Sequence, residues 1–358
     1  MTNSTADLVV RALVSPEALP EQSLQQWDLL IRQARRADLL PRIADLLDKL
    51  GRLPDVPAAP RAHLTAALVL AEAQRNSVLR EISHVRHALG AIGQQALLLK
   101  GSAYLAAGLP AARGRIFTDI DILVPKTALP EVEAVLMQGG WATTHHHPYD
   151  QRYYREWMHE LPPFQHIRRG TVLDVHHAIL PETARLKPDS SKLISASQAL
   201  SDHPGVRVLS PPDMVLHSMA HLFFNEELSH GLRDLSDLDL LLRYFAPQPG
   251  FWQSLLTRAV ELSLSRPLFY GLRYTAMILR TPIPNDVCEQ SKKDAPSPMV
   301  LRLMDALWKR ALRAPHPSAA DRFGPLALKS LYVRAHWLRM PPLLLVRHLV
   351  TKSLITSA

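Results

Sequence analysis

Apolar residues recur at helical spacing through the first ninety positions of the chain. Trp27, Leu30 and Ala34 lie three or four residues apart, as they do on the buried face of an amphipathic helix. After a Pro-rich break, a second apolar stripe predicts one long helix over 61–89. The pattern therefore predicts an N-terminal helical region, residues 1–90.

The periodicity changes after residue 90. Short apolar runs at 96–99 and 120–124, ended by glycine and proline, have the length of buried strands rather than helices. Further strands are predicted at 141–144, 164–168 and 171–179. Helices are predicted between the strands, at 103–108 and 128–138. Strands that alternate with helices and then follow one another predict a small mixed sheet over residues 91–209.

Helical periodicity returns at 210–213, where a serine and an aspartate flank two prolines, as at many helix starts. Apolar stripes then predict helices at 214–224, 232–245, 251–279 and 297–312. A polar, Pro-rich stretch at 281–298 is predicted to be a loop. The predicted fold class is α/β (α+β), a small mixed-sheet core flanked by N-terminal and C-terminal helical regions, the latter over 210–358.

Composition and charge narrow the class of protein. Hydrophobic residues make up 47% of the chain, which is enough for a sizeable core. The single cysteine, Cys288, excludes a disulfide within the chain and a Cys-based zinc site. With no signal-peptide pattern at 1–17 and no apolar run long enough to span a bilayer, we expect a cytoplasmic protein. The net charge of +8 is scattered along the chain, so it suggests either an acidic partner or surface charge without a specific partner.

Two acids stand at the second predicted strand. In a strand, residues i and i+2 point to the same face, so Asp119 and Asp121 project together while Ile120 and Ile122 turn into the packing. Adjacent carboxylates repel each other, and burying them unpaired is costly. Such a pair predicts a bound cation, and hard oxygen ligands suit Mg²⁺ or Mn²⁺. The alternatives are a solvated strand end or pairing with the nearby arginines Arg113 and Arg115.

A third acid, Asp174, lies in the predicted strand at 171–179. If that strand is a neighbour of the strand at 120–124, Asp174 faces the pair. Three carboxylates can hold two metal ions that stabilise the attacking and leaving oxygens of a phosphoryl-type transfer. The alternative is an exposed position on the strand face.

The turn after the first strand fits the same chemistry. Gly101 lets the backbone approach a phosphate, and the helix start that follows offers free N–H groups. Ser102 adds a hydroxyl, and Lys100 or Arg115 is a candidate to offset the charge of a triphosphate.

This order of features resembles the polymerase-beta-like nucleotidyltransferase superfamily. More narrowly, it is similar to an uncharacterised bacterial nucleotidyltransferase family with Leu-Lys-Gly, then an arginine, then Asp-Ile-Asp-Leu-Val. The corresponding residues here are Leu99-Lys100-Gly101, Arg115 and 119–124, and Asp174-Val175-His176 resembles the family's later acid-x-His strand. The resemblance covers about 24–245.

The resemblance implies a Mg²⁺- or Mn²⁺-dependent transfer of a nucleotidyl group from an NTP, with ATP as the expected donor, to an unknown acceptor hydroxyl. Catalytic and metal-binding roles would belong to Asp119, Asp121 and Asp174. The alternatives are a catalytically inactive nucleotide-binding protein, an RNA-modifying transferase and a scaffold of a surface-polysaccharide system. The acceptor is a small molecule, a protein or RNA.

Other polar motifs favour structural interpretations. The three histidines at 145–147 alternate faces in a strand and are predicted to lie in a surface loop. His217 and His221 are four apart on a helix but lack the glutamate of a metalloprotease motif, so they are interpreted as core or interface residues. The acids of the helix at 232–245 are interpreted as a solvated face, with pairing to nearby arginines or substrate binding as alternatives. The basic, apolar stretch at 334–352 is interpreted as a packed last helix, with peripheral membrane contact as the alternative.

Overall fold

Four helices form the N-terminal region in the computed structural model, which describes residues 8–145, 147–341 and 343–345. They are α1 (Leu8–Val14), α2 (Leu24–Arg36), α3 (Leu40–Lys49) and α4 (Ala58–Gly90). Ser23 and Gln26 form a reciprocal capping box at the start of α2, and Trp27 lies on its buried face, as the apolar stripe predicts. The prediction of one long helix over 61–89 is confirmed by α4.

In the described part of the chain, seven strands form one mixed sheet in the order β3-β4-β5-β2-β1-β7-β6. They are β1 (Ala96–Leu99), β2 (Ile120–Leu123), β3 (Trp141–Thr143), β4 (Phe164–His166), β5 (Val172–His176), β6 (Gln198–Ala199) and β7 (Val206–Val208). The five predicted strands are all present. The prediction missed β6 and β7, which are short and lie within a polar stretch.

The centre of the sheet determines where the acids lie. Strand β2 pairs antiparallel with β1 and parallel with β5. In the second pairing Asp121 is the register partner of Asp174. The two strands therefore bring these two side chains to neighbouring positions.

Among the described residues, four short α-helices connect the strands. They are α5 (Lys100–Ala106), α6 (Leu129–Gln138), α7 (Pro148–Trp157) and α8 (Ser190–Ser195). The prediction missed α7, whose sequence is polar and aromatic rather than apolar-periodic. His147 caps α7 by accepting a hydrogen bond from the Tyr149 N–H. Of the predicted histidine loop, His146 lies outside the described residues.

Seven helices follow the sheet among the described residues. They are α9 (Pro211–Phe224), α10 (Gly231–Phe245), α11 (Phe251–Glu261), α12 (Ser265–Leu279), α13 (Asn285–Ser291), α14 (Pro298–Ala311) and α15 (Gly324–Arg339). The predicted loop at 281–298 was wrong in part, because it contains α13. The stripe at 251–279 is divided into α11 and α12 at Ser263, whose φ of 57° ends the first helix.

One hydrophobic cluster joins α4, the sheet and the C-terminal helices. It runs from Val85 and Leu89 of α4 through Leu98 of β1 and Ile122 of β2 to Leu216 of α9. A smaller cluster packs α1 to α3 together. The region boundaries at 90 and 209 stay predictions, because the helices on both sides contribute to one core.

Helix α15 packs against α14 and α9, and Arg334 donates a hydrogen bond to the Phe223 carbonyl. This agrees with the interpretation of a packed last helix, whereas residues 346–352 of the predicted membrane-contacting stretch lie outside the described residues. Within the described residues, no helix has both the length and the hydropathy needed to cross a bilayer.

Gly114 allows α3 to approach the loop before β2. Its φ is +57°, and an added Cβ would lie 2.6 Å from the Cα of Arg42 and 2.7 Å from the carbonyl carbon of Pro41. Both atoms belong to the backbone of α3, so a side-chain rotation cannot relieve the overlap.

We expect Gly114→Ala to lower the free energy of unfolding by at least about 2 kcal/mol more than Gly51→Ala, because overpacking adds to backbone strain. Gly51 is the matched control, since its φ is +67° but nothing lies within 4 Å of an added Cβ. Urea unfolding of both variants measures the difference. Equal losses in the two variants would show that α3 does not constrain position 114.

Candidate active site

Three predicted acids lie together at two neighbouring central strands of the sheet. Asp121 is the second residue of β2, Asp119 immediately precedes that strand, and Asp174 lies beside them on β5. Carboxylate oxygens of the three all lie within 4.8 Å of one another. Ile120 and Ile122 are buried on the opposite face, in agreement with the alternation of a strand.

Asp121 is the acid with the most partners. Its Oδ1 accepts a hydrogen bond of 2.7 Å from Lys100 Nζ and lies 3.0 Å from His176 Nε2. Burial opposes ionisation, but the charge of Lys100 and the hydrogen bond from His176 lower the pKa of Asp121 below its ordinary value. The described partners of Asp121 therefore differ from Arg113 and Arg115, which the sequence suggested as an alternative.

Asp119 and Asp174 are less well compensated. Burial, and next the charge of Asp121, raise the pKa of both carboxyls, that of Asp174 to about 8. Asp119 accepts a hydrogen bond of 3.0 Å from the Thr118 hydroxyl, whereas the buried Oδ1 of Asp174 has no hydrogen-bond partner among the described residues. An orphaned carboxylate oxygen beside two further carboxylates fits a hard divalent cation such as Mg²⁺ or Mn²⁺.

The junction where β1 passes into the first turn of α5 has a structural role that the sequence did not reveal. Lys100 takes a left-handed conformation with φ of 46°, which directs the chain from β1 into α5. The buried Ser102 hydroxyl donates to the Leu99 carbonyl at 2.8 Å and so fastens the turn. A Cβ on Gly101 would lie 2.7 Å from Cζ of Arg115, so the glycine makes room for that guanidinium. Phosphate binding by Gly101 and Ser102 stays a prediction.

Arg115 belongs to a buried charge cluster that spans three parts of the chain. Its Nε donates to Asp237 Oδ2 of α10 at 2.9 Å, and Arg42 Nη2 of α3 lies 2.7 Å from Asp237 Oδ1. Burial opposes ionisation of Asp237, but Arg115 and then Arg42 lower its pKa. The interpretation of this helix face as solvated was wrong for Asp237, which is 2% exposed. The helical spacing shows which residues share a face, but not what packs on it.

A polar cleft of about 260 Å³ opens beside the acids. Asp119 and Asp121 line it together with the cations Lys100 and Arg115, and α10 contributes Arg233. Histidine 221 of α9 also lines this cleft, although the sequence favoured a core or interface position. Burial, and next the charge of Lys100, lower the pKa of His221, which favours the neutral imidazole.

His159 and Glu160 were missed by the sequence analysis. Glu160 Oε2 lies 3.2 Å from His176 Nδ1, and the rings of His159 and His176 are 5.2 Å apart. Neither residue belongs to a periodic pattern, since both lie between α7 and the prolines before β4. Their proximity to Asp121 depends on the packing of this segment against the end of β5.

Residues 23–280 match the model of a family described as uncharacterised nucleotidyltransferase. The chain belongs to this family. The match extends from the N-cap of α2 to the C-cap of α12 and includes the three acids and the cleft residues named above. Membership of this family supports a role in nucleotidyl transfer. No curated protein and no solved structure matches the chain.

We expect Asp174→Asn to stabilise the protein at pH 8 in the presence of EDTA. From the ordinary pKa of 3.8 up to about 8, the folded state holds the Asp174 proton that the unfolded state has lost, so stability falls as the pH rises. Removing the titratable group should flatten this fall and raise the thermal midpoint at pH 8 by roughly 2 °C.

Calorimetry between pH 5 and pH 8.5 measures the effect, with the exposed Asp202→Asn as the control. A variant that keeps the wild-type pH dependence would contradict the assignment of an unfavourable ionisation to Asp174.

Proposed function

We propose that this protein is a metal-dependent nucleotidyltransferase that moves a nucleotidyl group from an NTP, with ATP as the expected donor, to an acceptor hydroxyl. The observation that carries the proposal is the convergence of Asp119, Asp121 and Asp174 within 4.8 Å in a chain of a nucleotidyltransferase family. An Asp-x-Asp strand without a third acid beside it would not distinguish a metal site from a solvated strand end.

Mg²⁺ or Mn²⁺ would be held by these three carboxylates, since oxygen donors and the orphaned Asp174 Oδ1 fit a hard cation. When bound, the cations would neutralise charge on the triphosphate and on the attacking and leaving oxygens. Strands β2 and β5 hold the three carboxylates in place. Lys100 and His176 hold Asp121 in its ionised form, which is the form that binds a metal.

The NTP would bind in the polar cleft. Lys100, Arg115 and Arg233 line it and provide positive charge beside the acids. The backbone N–H groups at Gly101 and Ser102 are further candidates for phosphate contact through the start of α5. Arg115 would act as a fixed charge rather than a mobile one, because Asp237 already holds it.

The proposed reaction is an in-line displacement at the α-phosphorus. The acceptor hydroxyl oxygen forms a bond to that phosphorus, the bond to the bridging oxygen breaks, and pyrophosphate leaves. Asp174 is the proposed acceptor of the hydroxyl proton, because its carboxylate lies within 4.8 Å of those of Asp119 and Asp121 and its Oδ1 has no hydrogen-bond partner among the described residues. The reaction then needs positioning and charge neutralisation more than further chemical groups.

Space for an acceptor adjoins the cleft. Glu227 and Ser229, in the loop between α9 and α10, line both the cleft and a second cavity of about 750 Å³. The second cavity extends between that loop, the end of α14 and the start of α15. Its size and its shared wall suit a small molecule or an extended segment of a larger acceptor.

The test is transfer of label from each α-³²P NTP, with Mg²⁺ and a cell extract that supplies the acceptor. We expect the double variant Asp119→Ala/Asp121→Ala to lose at least about 100-fold of the labelling, because metal ligands carry several kcal/mol of transition-state stabilisation. Asp202→Ala, an exposed acid away from the cleft, is the matched control. Equal labelling by the double variant and the wild type would refute the site.

A thermal-shift assay with Mg²⁺ and ATP separates binding from turnover, since a ligand of the folded state raises the unfolding midpoint. A shift that the double variant loses, together with no transfer to any acceptor, would favour the catalytically inactive alternative.

A further inference from the structure

A second group of side chains that could ligate a metal contacts Asp121 through His176. His159, Glu160 and His176 each offer a ligand atom, and these atoms lie within 4.8 Å of one another. This set contains two imidazoles and one carboxylate, whereas the set formed by Asp119, Asp121 and Asp174 contains oxygen donors alone. The two sets therefore favour different metals.

Unsatisfied buried atoms of the second group point to a ligand. The His176 side chain is 3% exposed, and its Nδ1 makes no hydrogen bond, although Glu160 Oε2 lies 3.2 Å away. His159 Nδ1 is also buried without a hydrogen-bond partner among the described residues. A buried polar atom left without a partner costs about 1–3 kcal/mol, so two in one cluster need an explanation.

We propose that His159, Glu160 and His176 form a zinc site that is separate from the magnesium site. Zn²⁺ binds imidazole nitrogen and carboxylate oxygen, and catalytic zinc sites often have two histidines, one glutamate and an open fourth position. Ligand atoms of a tetrahedral zinc lie about 3.3 Å apart, as follows from bond lengths of 2.0–2.1 Å. The 3.2 Å between His176 Nδ1 and Glu160 Oε2 fits this spacing without any movement of those two atoms.

The same arrangement determines which nitrogen of His176 carries its proton. With Nδ1 bound to zinc, Nε2 must carry the hydrogen, and this nitrogen lies 3.0 Å from Asp121 Oδ1. A metal-bound histidine that donates its other N–H to a carboxylate is a common outer-shell pattern. Zinc at this site would thus orient Asp121 toward the Mg²⁺ or Mn²⁺ proposed for the three acids. This orienting role is the one part of the inference that rests on the proposed function.

The surroundings are compatible with a further cation. Four acids, Asp119, Asp121, Glu160 and Asp174, lie in the two groups. Among the described residues, the cations near them are Lys100, which pairs with Asp121, Arg115 on the side of Asp119 and Arg339 on the side of His159, so acids outnumber cations. The Glu160 side chain is 17% exposed, which gives an ion a route to the site from solvent.

The experiment measures zinc binding by the full-length protein, stripped with a chelator and then titrated with Zn²⁺ against a chromophoric competitor. We expect one zinc per chain, and we expect His159→Ala and Glu160→Gln to weaken it beyond the 10–100-fold typical of losing an outer partner. The exposed Asp202→Asn, which removes an acid that belongs to neither group, is the matched control and should leave zinc affinity unchanged. Circular dichroism and the unfolding midpoint in EDTA verify that each variant folds.

Co²⁺ substitution gives a second readout. The wild type should develop the visible absorption of tetrahedral cobalt, and His159→Ala and Glu160→Gln should lose it. Unchanged zinc affinity in both variants, or a zinc stoichiometry near zero in the wild type, would overturn the inference.

The outcomes distinguish this inference from the proposed function. Label transfer without zinc binding would refute the zinc site and leave the proposed function standing. Zinc binding that depends on His159 and Glu160, with no label transfer under any condition, removes the proposed function alone.

Discussion

Pairing of two parallel strands brings three carboxylates together. These carboxylates repel one another, and neighbouring side chains compensate part of that repulsion. Strand β2 carries Asp121 and follows Asp119, and β5 places Asp174 at the matching register position. Like charges this close, and partly removed from water, cannot all ionise freely without a counter-charge. Lys100 and His176 compensate the charge of the central acid most directly, since both contact one oxygen of Asp121. The two outer acids keep raised pKa values, and a bound divalent cation would relieve this residual cost.

A second buried charge cluster determines how the cleft wall is built. Asp237 of α10 is held between Arg42 of α3 and Arg115 of the loop before β2, so one residue links the N-terminal helices, the sheet and the C-terminal helices. Such a cluster is stable only when every charge is paired, because removal of one partner leaves another buried and uncompensated. Two glycines provide the space that this cluster needs. Gly101 makes room for the Arg115 guanidinium, and Gly114 lets the backbone of α3 come close.

His176 connects the proposed chemistry to its surroundings. It ends β5, two residues after Asp174, and so its ring lies on the same side of the strand as that acid. One ring nitrogen faces Asp121 and the other faces Glu160. The ring can therefore transmit a change at Glu160 or His159 to the acid at the centre of the site, whether that change is protonation or metal binding. Alternation along one strand is sufficient to place Asp174, a member of one candidate metal group, beside His176, a member of the other.

The sequence by itself determined the elements and the local chemistry. Hydrophobic periodicity located β1 to β5 and most helices, and alternation on β2 assigned Asp119 and Asp121 to one face, because these properties depend on near neighbours in the chain. Only the tertiary structure decided that β5 is the parallel neighbour of β2, that Asp237 is buried between two arginines, and that the segment before β4 brings His159 and Glu160 to His176. Those contacts join residues far apart in sequence, and their partners are selected by packing and by the cost of burying charge, which no local pattern encodes.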